Sequence, residues 1–173
     1  MAAAGEKVPA PEEVARSYFE ALAARDADRA VAHWHPDGIE DVVPLRVFRG
    51  AGEIRGFLEG LVAAMPDMEM VTTRITAGDR VAVVEWRLSG TFTGAPFEGI
   101  DPTGARVELR GADCLEIEDG KIVANTAYYD GAEFARAVGL LPRRDSGAER
   151  ALTTAFNGAT KVRALVREQL DRR

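Results

Sequence analysis

The sequence predicts an α+β domain in which three helices come first and a curved antiparallel sheet follows. Apolar residues recur at helical spacing up to about residue 65, and from Met68 onward the apolar period changes to two. Four long alternating segments are then separated by short turns of Gly, Asp and Pro, which is typical of an antiparallel meander. Because the helices precede the strands, we expect them to cover one face of the sheet.

The start and stop residues of the helices can be recognised in the sequence. Pro11 and the two glutamates after it favour a helix start. Asp26 can cap a second helix, which carries Trp34 on its inner face and must end before Pro36. A third apolar segment shows the same helical spacing and is closed by a Pro-Asp pair. The three predicted helices cover about residues 11–25, 27–34 and 52–65.

The strands follow in chain order. Residues 39–49 predict two short strands, or a strand and a loop. The four long strands are predicted at 70–76, 80–92, 106–118 and 121–129. After a polar break, helical spacing over residues 149–170 predicts an additional C-terminal helix. The chain therefore divides into a flexible tail at 1–10, a single α+β domain at 11–141, and a linker with a helix at 142–173.

Composition limits the classes of function. The chain has 173 residues, of which 46% are hydrophobic, enough for one core with room for a small-molecule pocket. The net charge is -6, with Lys and Arg scattered among carboxylates, so we expect no nucleic-acid partner. No apolar run approaches the roughly 20 residues that span a bilayer, and the N-terminus lacks a signal peptide. These features predict a cytoplasmic protein with an apolar small-molecule ligand and no membrane partner.

We also expect neither a metal nor a cofactor. The single cysteine, Cys114, excludes an intramolecular disulfide and a Cys-rich metal site. His33 and His35 would point to different faces of a helix, and no HExxH motif accompanies them.

One carboxylate stands out because it lies on an apolar strand face. In the strand at 106–118, Asp113 alternates with Val107, Leu109 and Leu115, and so should face the core or a cavity. Burial there should raise its pKa and make it a proton donor near neutral pH. The structural alternative is an ion-paired or loop-capping aspartate.

Two further residues are candidates for the same site. Asp41 is an ionisable group within a short apolar stretch, although it can equally be a solvated loop residue. Tyr18 lies in the apolar stripe of the first helix, where a buried phenol needs a hydrogen-bond partner such as a carboxylic acid or a substrate oxygen.

The sequence from Gly90 to Gly104, followed by Arg-Gly-Ala-Asp at 110–113 and Glu-Asp-Gly-Lys-Ile-Val at 118–123, resembles the SnoaL-like polyketide cyclase and ester cyclase group. That group belongs to the nuclear-transport-factor-2-like superfamily. The resemblance implies a cone-like curved antiparallel sheet that encloses a deep apolar pocket. It covers residues 11–141 but not the C-terminal helix. Those cyclases often carry His-Trp-Asp in the last strand, where this sequence has Asn125, Thr126 and Ala127. They also often carry a histidine at the position of Phe92.

The positions of the candidate residues are also similar to those of ketosteroid isomerase, another member of the superfamily. This resemblance implies an oxyanion-hole tyrosine at Tyr18, a catalytic base at Asp41 and a neutral, hydrogen-bond-donating acid at Asp113. It favours a cofactor-independent enzyme that forms an enolate from an apolar, carbonyl-bearing small molecule, as an isomerase or a cyclase. The aromatic residues expected to line its pocket are Trp34, Phe57, Trp86, Phe92 and Tyr128.

Two alternatives stay open. The domain can be a non-catalytic module for small-molecule binding or dimerisation. It can also be an epoxide hydrolase of the limonene-epoxide-hydrolase type, which would need an acid–arginine–acid cluster from Glu85, Arg87 and either Asp130 or Asp113. A concave sheet and an amphipathic tail helix both leave apolar surface to cover, so we expect a homodimer.

Overall fold

The computed structural model describes residues 8–171. Within this part of the chain the helices and strands follow the predicted order. Their bounds are α1 Pro11–Ala23, α2 Ala27–Val31, β1 Trp34–Val42, β2 Arg46–Arg49, α3 Gly50–Ala64, β3 Glu69–Ala77, β4 Val81–Thr91, β5 Arg106–Glu118, β6 Lys121–Tyr129, α4 Gly131–Ala137 and α5 Gly147–Asp171.

The six strands form one sheet in the order β2-β1-β6-β5-β4-β3. The four long strands pair as the predicted antiparallel meander, whereas β1 joins β6 in parallel. This parallel pairing brings an N-terminal strand into the middle of the sheet, next to the last strand of the chain. The α+β class, with a curved sheet packed by helices, is confirmed.

Helices α1 and α3 cover the inner face of the sheet, where the core lies. Helix α1 buries an apolar stripe that includes Tyr18 and Phe19, each 2% exposed. Helix α3 buries Ile54 and Leu58 against β1 and β2. The apolar spacing that predicted these helices thus corresponds to the faces that they bury.

The second helix is shorter than predicted. Asp26 caps it as expected, since its carboxylate accepts from Arg29 N at 2.9 Å. The helix ends at Val31, however, and Trp34 begins β1, where it pairs with Ile122. Pro36 explains the difference, because it disfavours helical geometry in the residue before it and is itself accommodated in the irregular start of β1.

The two C-terminal helices differ in how they contact the domain. Helix α4 is capped by Asp130, which accepts from Glu133 N at 2.9 Å, and it packs on β5. Helix α5 corresponds to the helix predicted at 149–170, but its large apolar side chains whose burial is described are exposed, with Phe156 at 66%. No helix of the described chain is long and apolar enough to cross a bilayer.

The predicted domain boundaries and the homodimer stay predictions. Of the expected tail at 1–10, residues 1–7 lie outside the described residues, and Val8 to Ala10 are exposed before α1 begins. The exposed apolar residues of α5 are consistent with the reasoning that led to the homodimer, but they do not test it.

Candidate active site

A deep cavity lies between α1, α3 and the inner face of the sheet. Its volume is about 100 Å³, and most of the side chains around it are apolar. Its polar residues fall into two groups. Tyr18, Glu40 and Asp113 are buried, whereas Arg25 and Asp26 lie at the exposed end. The cavity therefore combines apolar walls with one small polar region, as small-molecule pockets do.

The two acids of this cavity belong to a row of four buried side chains, one from each of four adjacent strands. Glu40 comes from β1, Asn125 from β6, Asp113 from β5 and Trp86 from β4. Asn125 Nδ2 donates to Asp113 Oδ2 at 2.7 Å and contacts both carboxyl oxygens of Glu40 at 3.1 Å. Trp86 Nε1 donates to Asp113 Oδ1 at 2.7 Å. Each oxygen of Asp113 thus accepts from its own donor at 2.7 Å. Glu40 has only the amide group of Asn125, which it shares with Asp113.

A glycine makes this row possible. Gly111 lies opposite Trp86 in the β4–β5 register, two residues before Asp113. A Cβ atom at Gly111 would lie 2.4 Å from Trp86 Cζ2 and 2.4 Å from the Tyr128 carbonyl oxygen. Without a side chain at this position, the indole can lie across β5 and direct its N–H group at the carboxylate.

We expect Gly111→Ala to destabilise the fold by about 2 kcal/mol, because the added methyl group must displace a buried indole or a strand backbone. Urea unfolding measures the free energy. Gly56→Ala in α3 is the matched control, since nothing lies within 4 Å of its added Cβ. Alanine there should stabilise the helix by up to about 1 kcal/mol. Equal stabilities of the two variants would contradict the role of Gly111.

The two carboxyl groups hold protons more tightly than ordinary acids do. Burial raises the pKa of Asp113 to about 6, partly offset by its hydrogen bonds from Trp86 and Asn125. Burial, the neighbouring Asp113 charge and the charge of Asp41 raise the pKa of Glu40 well above its usual value, against a smaller lowering by Asn125. Because Asp113 has the stronger donors, we assign the negative charge to Asp113 and the proton to Glu40 at neutral pH.

The phenol of Tyr18 faces this pair from α1. Burial raises the pKa of Tyr18 well above its usual value, and the charges of Glu40 and Asp113 raise it further. The ring packs edge-on against Trp34, with centroids 6.0 Å apart. Tyr18 therefore stays protonated, and its hydroxyl is available to donate a hydrogen bond at the polar end of the cavity.

The structure brings Tyr18 and Asp113 together, as the sequence predicts, but not Asp41. Along β1, Glu40 and Val42 are buried, whereas Asp41 points to the other face and is partly exposed. Successive strand residues alternate between faces, so only one of two adjacent acids can enter the cavity. The expectation that Asp41 occupies the site is therefore corrected, and Glu40 takes its place.

The five predicted aromatic lining residues divide in a similar way. Phe57 and Trp86 line the cavity. Trp34 and Phe92 are buried at 3% and 2% exposure, but they pack in the core without lining it. Tyr128 is 51% exposed on the outer face, and its neighbour Tyr129 lines the cavity instead. Strand alternation again accounts for the exchange of neighbours.

Sequence reasoning also missed Asn125, which links the two acids. The available signal was its place in β6, where Val123, Asn125 and Ala127 alternate on one face, so a lone amide lies among apolar residues. The cluster required for epoxide opening does not form in the cavity. Glu85 pairs with Arg74 at 3.3 Å on the exposed side, and Asp130 caps α4.

A curved antiparallel sheet covered by helices, with two buried acids facing an apolar cavity, has the ketosteroid-isomerase-like, nuclear-transport-factor-2-like fold. The chain belongs to the SnoaL-like domain family, which it matches over residues 15–125. No protein of curated function matches its sequence.

Solved structures with the same fold share little sequence with the chain. The proposed hydroxylase AclR from Streptomyces galilaeus is 20% identical, with a TM-score of 0.68, covering 92% of this chain and 95% of its own. A proposed SnoaL-like polyketide cyclase from Jannaschia sp. CCS1 is also 20% identical, with a TM-score of 0.68. The match covers 80% of this chain and 100% of the cyclase. A protein of ketosteroid-isomerase-like fold from Catenulispora acidiphila, solved with trimethylamine, is 16% identical, with a TM-score of 0.62. The match covers 76% of this chain and 95% of that protein.

Proposed function

We propose that the protein is an acid/base enzyme that forms an enolate from an apolar, carbonyl-bearing small molecule, as an isomerase or a SnoaL-like cyclase. The observation that supports this most directly is the convergence of Tyr18, Glu40 and Asp113 in one apolar cavity. Enolate chemistry needs a base beside hydrogen-bond donors that stabilise developing negative charge, and such donors act most strongly where water is excluded.

The hydrogen bonds support roles that differ from those that the ketosteroid isomerase resemblance implies. Asp113, ionised and held by Trp86 and Asn125, is the group that takes a proton from the carbon next to the carbonyl. Protonated Glu40 and the phenol of Tyr18 donate hydrogen bonds to the carbonyl oxygen as it becomes an enolate oxygen. The proton on Asp113 then returns to another carbon in isomerisation, or to the new alkoxide after an aldol-type ring closure.

Deuterium exchange tests this proposal without knowledge of the natural substrate. The wild-type protein should accelerate incorporation of deuterium from D2O into 2-decalone at the carbons next to the carbonyl, followed by NMR. The rate should rise as the pH increases through about 6, because Asp113 must be ionised to accept the proton. It should fall at higher pH, when the carboxyl pair loses its second proton.

Two outcomes would contradict the proposal. The first is exchange no faster than in buffer, although line broadening shows that 2-decalone binds in the cavity. That result would favour the non-catalytic binding module. The second is a rate that declines as the pH rises through about 6, since a base cannot lose activity by becoming ionised.

A further inference from the structure

Helix α5 carries an apolar stripe that its own domain leaves uncovered. The helix has no extensive packing contact with another helix or strand of the described chain. The large residues of the stripe lie on one side of the helix, and each is more than half exposed. They are Leu152, Phe156, Val162 and Leu170. A helix with such a stripe normally buries it against a partner surface.

The start of α5 is anchored to the domain. Ser146 Oγ accepts from Glu149 N at 3.1 Å, and Glu149 Oε2 accepts from Asp145 N at 2.6 Å, which together cap the helix. Arg136 of α4 also pairs with Glu149 at 3.5 Å. These contacts fix the direction in which α5 leaves the domain, so the cover that the stripe lacks has to come from another molecule.

The charges of the chain separate between the C-terminal segment and the domain. Residues 142–173 carry eight basic and four acidic side chains, whereas residues 1–141 carry fourteen basic and twenty-four acidic ones. A basic helix is attracted to the acidic domain of a second copy, while two such helices, or two such domains, repel each other. An anionic lipid surface is a poorer partner, because it repels the acidic domain to which α5 is attached.

The sheet of a second copy offers an open apolar surface with the matching charge. Helices α1 and α3 lie on the inner face, whereas on the outer face Val81 and Tyr128 are 50% and 51% exposed. The centre of the outer face, which we call the outer patch, consists of three cross-strand rows on β4, β5, β6 and β1. The rows are Val81, Glu116, Ala124 and Ile39, then Val83, Cys114, Thr126 and Asp41, then Glu85, Ala112 and Tyr128. All the charged side chains of the patch are carboxylates.

The dimensions of the two surfaces agree. A helix of 25 residues is about 37 Å long, and six strands at their usual spacing are about 24 Å across. One α5 is therefore long enough to cross the whole sheet. When two copies exchange their helices, both stripes and both patches are covered in one twofold arrangement, which closes at a dimer.

We propose that α5 of one copy packs on the outer patch of a second copy, which returns its own α5 in the same way. The apolar stripe contacts the valines and Tyr128 of the patch, and basic residues beside the stripe, such as Arg163, face its carboxylates. This surface is separate from the cavity, and the inference does not depend on the proposed enzyme chemistry.

Substitutions on the two surfaces test the inference in the full-length chain. Sedimentation velocity should show a dimer, whose dissociation constant rises at least about 30-fold in Phe156→Glu and in Val83→Lys, because each places a charge in an apolar contact. Asn157→Glu is the matched control for the helix, since it adds the same charge on the side of α5 opposite the stripe. It should leave the dissociation constant within about threefold.

Mixing the two variants distinguishes helix exchange from other dimers. Phe156→Glu keeps an intact outer patch and Val83→Lys keeps an intact α5. With a fluorescent label on one of them, the mixture should form a labelled mixed dimer through one intact contact, at concentrations where each variant alone is monomeric. A dimer through paired α5 helices would tolerate Val83→Lys, and a dimer through facing sheets would tolerate Phe156→Glu.

Either of those tolerances overturns the inference, as does a monomeric wild type or the absence of a mixed dimer. A wild-type chain that is monomeric in solution but binds phosphatidylserine vesicles would also overturn it, in favour of a membrane surface. The substituted residues are exposed in the single chain, so the variants should fold, which circular dichroism checks. If Val83→Lys does not fold, Tyr128→Lys replaces it on the same patch.

Discussion

Replacing Asp113 by asparagine should lower the rate of deuterium exchange into 2-decalone by at least about 100-fold, because an amide cannot accept the proton. The shape of the side chain is kept, but one oxygen becomes an NH2 group facing a donor from Trp86 or Asn125. Asp113→Ala is therefore a second variant without that conflict, and it should lose the same activity. Exchange rates by NMR and folded content by circular dichroism measure the effect.

Asp41→Asn is the control for this experiment, since it changes an adjacent strand position that faces away from the cavity. Its exchange rate should stay within about twofold of the wild type. Wild-type rates in both folded Asp113 variants would refute the assignment of the base. If Glu40→Gln alone abolished exchange, the roles of the two carboxyl groups would be the reverse of those proposed.

Replacing Asn125 by leucine should destabilise the protein by about 3 kcal/mol at neutral pH. The amide is the donor that Glu40 and Asp113 share, and leucine leaves both carboxyl groups with less hydrogen bonding in a buried region. Urea unfolding at several pH values measures the loss. Thr126→Val, at the next position on the opposite face of β6, is the matched control and should change stability by less than about 1 kcal/mol.

The loss of stability in Asn125→Leu should depend on pH in a defined direction. The pKa of Asp113 is raised in the folded state from 3.8 to about 6, so the folded protein binds more protons than the unfolded chain over that interval. The ionisation of Asp113 therefore lowers the free energy of unfolding of the wild type by about 3 kcal/mol as the pH rises from about 4 through 6. Without Asn125 both carboxyl pKa values rise further, so the deficit should be largest at neutral pH and shrink near pH 4. A deficit that is constant with pH would contradict the hydrogen bonds described here.

The fold could be predicted from the sequence because the periodicities of its elements are strong. The strand at 106–118 is predicted with its observed bounds, since each end carries a charged residue and a turn follows. The start of β1 could not be predicted in this way. Trp34 continues an apolar helical spacing, and it enters the sheet only through parallel pairing with β6, about 90 residues later in the chain.

The site was predicted in part, and the reason lies in the surroundings of each residue. Asp113 stands in a strand whose large aliphatic residues all lie on the same face as Asp113, so its orientation can be read directly from the sequence. In β1, both faces carry apolar residues, with Ile39 at 37% exposure on one face and Val42 buried on the other. The sequence contains no signal that distinguishes the face of Glu40 from that of Asp41. Their orientations depend on the partner strand.

The irregular pairing at the start of β1 determines which of the two adjacent acids is used. The register with β6 shifts between Trp34 and Ile39, and only after that shift does Glu40 lie opposite Asn125. Because neighbouring residues face opposite ways, the loss of one residue from this segment would turn Glu40 outward and place Asp41, one methylene shorter, opposite Asn125. A change in the length of segment 34–39 would therefore exchange the longer glutamate side chain for the shorter aspartate side chain, and a carboxyl group would still face the cavity.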